Sequence, residues 1–216
     1  KILSHPNFKN KSHIFEQFDS TVGNKTIIGP SMCGGVSSIY IDKDNILGVS
    51  IDSNPQKVYL SPKNGVELSF IESYRKLVAR GFNPVGVTNC LNFANIENKD
   101  ISYQFVKSVE GLANISKKMN VPVVSGNVSM YNETNNKPIF PTVIFAMVGH
   151  LDNYKSIINN SFSEKETIFL LGEPIDDNMN IGGSFYQYVL QDKVCGKIDK
   201  VNYNKEILYR NIIFDL

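Results

Sequence analysis

Hydrophobic positions recur along this chain at two periods, and the switches between them mark out its elements. Thr26 to Ile28, Val36 to Ile41 and Ile46 to Ile51 read as short strands separated by Gly, Pro, Asp and Asn. From Gly65 to Arg80 the period lengthens, with Val66, Phe70, Ile71, Tyr74, Leu77 and Val78 on one helical stripe and Gly81 placed to end it. A strand at Val85 to Thr88 precedes the clearest helix, Ile101 to Met119, where Phe105, Val109, Leu112 and Ile115 recur at three- and four-residue steps. Strands follow at Val121 to Met130 and Thr142 to Leu151, spaced so that they could pair as a hairpin across Asn132 to Lys137. The order predicts an α+β layer arrangement, a mixed sheet with helices.

Residues 153–166 are polar and rich in Asn, Ser and Lys, which predicts a linker. Residues 1–152 then form one domain, and 167–216 begin a second that is too short for a core of its own. Within it, Thr167 to Leu171 reads as a strand, Gly172 to Gly183 as a loop, and Ser184 to Leu190 opens a helix. The chain stops inside another helical pattern, NIIFDL at Asn211 to Leu216, as expected for part of a longer polypeptide.

The segment VPVVSGNVSMYNET, Val121 to Thr134, departs from simple alternation. On one face it carries Ser125, Asn127 and Ser129; on the other Val124, Gly126, Val128 and Met130. Side chains two apart on a strand point the same way, so the first face is a row of hydroxyl and amide groups backed by an apolar face expected to be buried. Gly126 leaves the backbone approachable. A ligand-facing strand needs this pattern, and an edge strand with a solvated polar face would also show it.

Composition narrows the classes. Lys plus Arg number 22 against 21 Asp plus Glu, a formal charge of +1, so no global field gathers nucleic acid. No run of about 18 apolar residues could span a membrane, and the N-terminus KILSHPNFKNKSH lacks a secretory apolar core. Cys33, Cys90 and Cys195 have no paired spacing, which suits a reducing cytoplasm and small core-filling roles. Asn-x-Ser/Thr at Asn10, Asn24 and Asn127 then reflects an Asn-rich composition.

Five segments occur in order: KSHIFEQFD at Lys11 to Asp19, VYLSPKNG at Val58 to Gly65, VTNCLNFANIE at Val87 to Glu97, SGNVSMYNET at Ser125 to Thr134 and IGGSFYQYVL at Ile181 to Leu190. Together they resemble phosphoribosylformylglycinamidine synthase, the large ATP-dependent subunit, over nearly the whole chain. The resemblance implies the second of two internal repeats, with a domain of the aminoimidazole-ribonucleotide-synthetase type followed by the start of its C-terminal partner. It implies an ATP-dependent ligase of purine biosynthesis. Formylglycinamide ribonucleotide would be phosphorylated on its amide oxygen and then attacked by ammonia from a glutaminase subunit, with a small bridging subunit in the complex. Its cofactors would be ATP and Mg2+.

By the same resemblance, Asn89 and Gly126 match nucleotide contacts, Asn127 a magnesium ligand and Ser129 a substrate contact. Asn89 stands where the family often has Asp, so it keeps an acceptor oxygen without the charge. Asp52 and Glu72 match an acidic pair that holds magnesium on an auxiliary nucleotide. Lys76 stands where Asn would complete that set, and a salt bridge from Lys76 to Glu72 at i,i+4 is the competing expectation. The glycines of Asn180 to Ser184 are a weaker candidate phosphate loop, against a simple tight turn. No catalytic residue is assigned, and His13 falls at an aromatic position of the family pattern.

Alone, the chain is expected to be inactive, to lack its N-terminal half as a partner, and to homodimerise through an open sheet edge. A non-catalytic nucleotide-binding scaffold that docks the other half is the alternative. Aminoimidazole ribonucleotide synthetase or selenophosphate synthetase is less compatible, since their Asp-Gly and Lys-rich N-terminal signature is absent.

Overall fold

A computed structural model describes residues 1–32, 34–172 and 180–216. Cys33, and the part of the expected loop at 173–179, lie outside the described residues.

Short helix α1 (Ser12–Phe15) leads into strands β1 (Thr26–Ile28), β2 (Val36–Asp42) and β3 (Asn45–Asp52), then helices α2 (Pro55–Leu60) and α3 (Pro62–Val78). Strand β4 (Asn83–Asn92), helix α4 (Lys99–Met119) and strand β5 (Val123–Ser129) follow, then the small ladder β6 (Glu133–Thr134) and β7 (Lys137–Pro138), strand β8 (Thr142–Leu151) and helix α5 (Tyr203–Asp215). Six strands form one mixed sheet in the order β1-β2-β3-β8-β4-β5. Only the β4–β5 pair is parallel, and α4 is its crossover.

That order corrects the expected hairpin. β8 does not meet β5; it inserts between β3 and β4 and pairs antiparallel with both. A parallel β4–α4–β5 unit leaves β4 one free edge, and β8 takes it. β6 and β7 are joined through Asn135 and Asn136, both left-handed at φ 51° and 59° as a tight two-residue turn requires.

The helices cover one face of the sheet. Ile46, Val87, Leu91, Val143, Phe145 and Met147 point into them, and the Phe70 and Phe145 rings meet edge to face at 5.5 Å. α4 is bounded as its sequence prescribes: the Asn98 side chain accepts the Asp100 N–H at the start, and Asn120 turns left-handed at the end. Lys117 and Lys118 occupy its negative last turn.

The opposite face is open and largely apolar. Ile39, Ile41 and Ile51 are exposed there, beside half-buried Leu47, Val49, Ile144 and Val148. Pairing of Ile39 with Leu47, Val49 with Val148 and Ile51 with Ala146 puts them on one surface. The expectation named only an edge; the whole face is uncovered.

Helix α5 is tied back to α3 and α4 by a buried polar cluster. Glu67, 2% exposed, accepts the Tyr203 hydroxyl at 2.7 Å and the Asn114 amide at 2.7 Å. Burial and the neighbouring Glu67 carboxylate push the Tyr203 phenol up to about 12. Arg75 grips the buried Glu206 carboxylate of α5 with Nε and Nη2, which raises the guanidinium further.

Thr167 to Leu171 forms no strand. It finds no strand partner among the described residues, and Ile168, Phe169 and Leu170 lie exposed. Ser184 to Leu190 does become helical, as a turn that widens to a π-helix over Gln187–Gln191. No helix of the described residues is long and apolar enough to cross a membrane.

Candidate functional site

The parallel pairing of β4 with β5 brings together two segments that are far apart in the chain. Asn89 lies opposite Gly126, Cys90 opposite Asn127, and Asn92 opposite Ser129. The register continues past the strand ends, where the Tyr131 and Asn132 N–H groups bond the Ala94 and Phe93 carbonyls. VTNCLNFAN and SGNVSMYN are therefore a single structural unit.

Alternation divides its side chains between two faces. Thr88, Cys90, Ser125 and Asn127, with Asn89 and Gly126 between them, line a shallow hollow of about 320 Å³ on the open face, floored by Ile144 and Ala146. Ser125 donates to the Thr88 hydroxyl at 2.7 Å. Asn127 Nδ2 turns toward Cys90 Sγ at 3.6 Å, and its Oδ1 meets no donor among the described residues. A hard carboxamide oxygen on an exposed side chain is thus left without a donor, a suitable single ligand for a magnesium that keeps water and phosphate oxygens as its others. None of the hollow's lining residues is charged, and the described residues contain no group of three His, Cys, Asp or Glu able to hold a metal. Among the described residues the hollow offers magnesium no ligand beyond such neutral oxygens.

Ser129 continues the same row and is held in place. Asn132 Nδ2 reaches the Ser129 carbonyl at 3.0 Å and its hydroxyl at 3.1 Å, and also bonds the Phe93 carbonyl at 2.9 Å. Asn132 is a positioning group that the strand pattern did not single out, because it lies beyond the strand end. Cys90 and Thr88 were missed as well, although their spacing of two matches that of Ser125 and Asn127.

Asn89 is not in that row. Its carboxamide lies on the helix-side face, where it sits over the Gly126 α-carbon: a Cβ on residue 126 would lie 2.8 Å from Asn89 Oδ1. The glycine lets the Asn89 carboxamide lie directly against the strand backbone; a side chain at 126 would push that carboxamide aside. The apolar face expected to back the row is also not buried. Val124 and Val128 are exposed, because β5 is the edge strand. The two described cysteines are not core fillers: Cys90 is half-buried in the hollow and Cys195 is exposed.

Asp52 and Glu72 are not joined by a shared cation site. Lys76 forms its ion pair with Asp52, not with Glu72, and Glu72 is exposed. The Asp52 side chain is 8% exposed, and burial raises its carboxyl above the ordinary value despite the lysine. The ammonium takes the position on Asp52 that a divalent cation would need, so these residues do not fit an auxiliary metal.

The expected phosphate loop is also otherwise engaged. The Gly182 N–H bonds the Lys197 carbonyl at 3.1 Å, the Ser184 N–H bonds the Ile181 carbonyl at 3.0 Å, and Gly183 packs on Lys57. Larger hollows lie away from the β4–β5 unit. One of about 370 Å³ is lined by Tyr59, Gln104 and Phe140, and one of about 680 Å³ lies between α3 and α5.

Residues 34–151 match the AIR synthase related protein family, N-terminal domain. The phosphoribosylformylglycinamidine synthase subunit PurL of Petrotoga mobilis is 37% identical over 216 residues, covering 100% of this chain and 30% of its own length. That of Nitratiruptor sp. is 34% identical over 218 residues, covering 100% of this chain and 29% of its own. PurL of Thermotoga maritima complexed with ATP superposes with a TM-score of 0.62 at 27% identity, over 71% of this chain and 25% of that one. T. maritima PurL complexed with FGAR gives 0.58 at 29% identity, over 67% and 23%. The chain thus spans about 30% of the length of the curated relatives it matches. It belongs to the AIR synthase related protein family, with residues 34–151 forming that family's N-terminal domain.

Proposed function

We propose that this chain supplies one wall of the active site of an ATP-dependent amidine-forming ligase, the formylglycinamidine ribonucleotide synthase of purine biosynthesis. The observation that carries the reading is the Asn127 carboxamide oxygen, unengaged on the open face and in one row with Ser129. In this role Asn127 contributes an oxygen to the magnesium that accompanies ATP, and the Ser129 hydroxyl, braced by Asn132, meets formylglycinamide ribonucleotide. Magnesium neutralises phosphate charge during transfer to the amide oxygen. Gly126 and Asn89 border the nucleotide, Asn89 from the helix side of the sheet. The chain holds the reactants in place, and its described residues offer no charged group at the hollow; proton transfer and the remaining metal ligands are assigned in this reading to an N-terminal half. A glutaminase subunit and a small bridging subunit deliver ammonia. The setting is cytoplasmic, where unpaired thiols persist.

Reconstitution tests this directly. The chain alone should show no ammonia-dependent ATP hydrolysis, and adding a separately prepared N-terminal half should restore it. A folded, stably assembled mixture without activity would favour the scaffold reading, which the uncharged hollow also accommodates.

The uncovered sheet face is where the other half would dock. Without that half, two copies of this chain should pair through Ile39, Ile51 and their neighbours. Light scattering at micromolar concentration should report a dimer, and Ile51→Asp should return it to a monomer. A monodisperse monomer for the unaltered chain would rule this out.

A further inference from the structure

The last turns of α3 and the residues just after it carry two cations four apart, Lys76 and Arg80. Both run beneath the connection from β1 to β2. A Cβ on Gly35 would lie 2.9 Å from Lys76 Cδ, and one on Gly34 would lie 3.9 Å from Arg80 Cδ and 4.0 Å from its Nε. Gly34 and Gly35 have φ of +96° and +69°, values that side chains rarely tolerate, so these two residues place no side chain over the cations.

The two cations differ in their partners. Lys76 has Asp52. Arg80 is 6% exposed, and its Nε and Nη1 are sealed from solvent with no acceptor. Among the described residues the ion pairs involve Lys43, Arg75, Lys76, Lys107 and His150, never Arg80. The Asn160 carboxamide also comes close to Gly34: its Nδ2 would lie 3.5 Å from a Cβ there. An unpaired buried charge is strongly unfavourable, and native interiors either pair it or bring a counter-ion to it.

We infer that Arg80 forms a binding site for a small oxyanion of the phosphate class, beneath the Gly34–Gly35 loop. The guanidinium offers a planar fork suited to two phosphate oxygens, and Asn160 Nδ2 offers a further donor. The glycine pair lets the loop adjust over the ion. The site is separate from Asn127: β3 and β5 are separated in the sheet by β8 and β4.

Thermal unfolding of the 216-residue chain in chloride, with inorganic phosphate replacing chloride at constant ionic strength, tests the assignment. Phosphate should raise the midpoint saturably, with half-effect at about 1 mM. Arg80→Met should abolish the increment while leaving the midpoint in chloride unchanged or higher, since it removes an unpaired buried charge. Asn160→Asp offers a second variant: its carboxylate should pair with Arg80, raise the midpoint in chloride and remove the phosphate increment. An equal increment in the wild type and Arg80→Met would mark a general salt effect and overturn the site, as would no increment at all. A rise with ATP but none with inorganic phosphate would overturn the assignment to a small anion.

Discussion

Lys76→Met should lower the unfolding free energy by about 3 kcal/mol, the lower end of the cost of breaking a buried ion pair. Asp52 is nearly sealed, its Oδ2 has no donor, and Lys76 is the partner of its Oδ1. Lys76 is 32% exposed, so water screens part of the attraction, and the lower end applies. Methionine keeps the aliphatic stem packed beneath Gly35, which isolates the loss of charge from a loss of packing. For a chain of this size the midpoint should fall by roughly 6–12 °C. The pH dependence identifies the carboxylate. Asp52 has a folded value raised above the unfolded one, so the folded state holds its proton to higher pH and stability falls as pH rises from about 3.8 through the raised value. Without the lysine that raise grows. The deficit of Lys76→Met should therefore be large at pH 7.5 and shrink toward pH 4.5, and Asp52→Asn added to it should recover most of the loss. Were Glu72 the partner instead, an exposed i,i+4 pair would lose only about 0.3–0.5 kcal/mol at any pH. Urea unfolding at the two pH values distinguishes these outcomes.

The Lys76 pairing also shows where sequence reasoning stops. Spacing along a helix reveals Glu72, because i,i+4 neighbours are fixed by helix geometry. It cannot reveal Asp52, which comes from a strand 24 residues away and outcompetes Glu72 because a buried carboxylate gains more from a cation than a solvated one. The same limit runs through the sheet. The Ser125, Asn127, Ser129 row was legible, since strand alternation is strictly twofold. Its apolar back was misjudged because Val124 and Val128 are buried only if another strand or helix lies beyond β5, and strand order is not written in local periodicity. β8 pairs with β4 and not with its sequence neighbour β5, so the expected hairpin failed for the same reason. α4 was read to within two residues because a long amphipathic stripe is a local signal; the Asn98 cap that sets its start was not used. The apolar run at Ile168 to Leu171 has a strand's composition but no partner among the described residues, and composition alone does not make a strand.

Asn127→Ala, in the chain assembled with its other half, should reduce turnover about 100-fold. Even groups that only support a metal ligand cost 10- to 100-fold when removed, and a direct ligand should cost no less. The substitution is structurally mild. Asn127 is exposed, and its side-chain bond goes to Cys90 Sγ at 3.6 Å, a weak acceptor, so stability should change by no more than about 0.5 kcal/mol. An unaltered midpoint with a large rate loss therefore separates chemistry from folding. If the lost group is a magnesium oxygen, raising magnesium should recover part of the rate, and Asn127→Asp, which keeps an oxygen and adds charge, should retain more activity than the alanine variant. Ser129→Ala should act differently. Its hydroxyl meets the ribonucleotide in this reading, so the apparent KM for that substrate should rise while the magnesium dependence stays as it was. Asn132 still bonds the Ser129 and Phe93 carbonyls in that variant, so the strand end should keep its position. Unchanged turnover and unchanged magnesium dependence in Asn127→Ala would remove this row from the chemistry and leave the chain as a docking module.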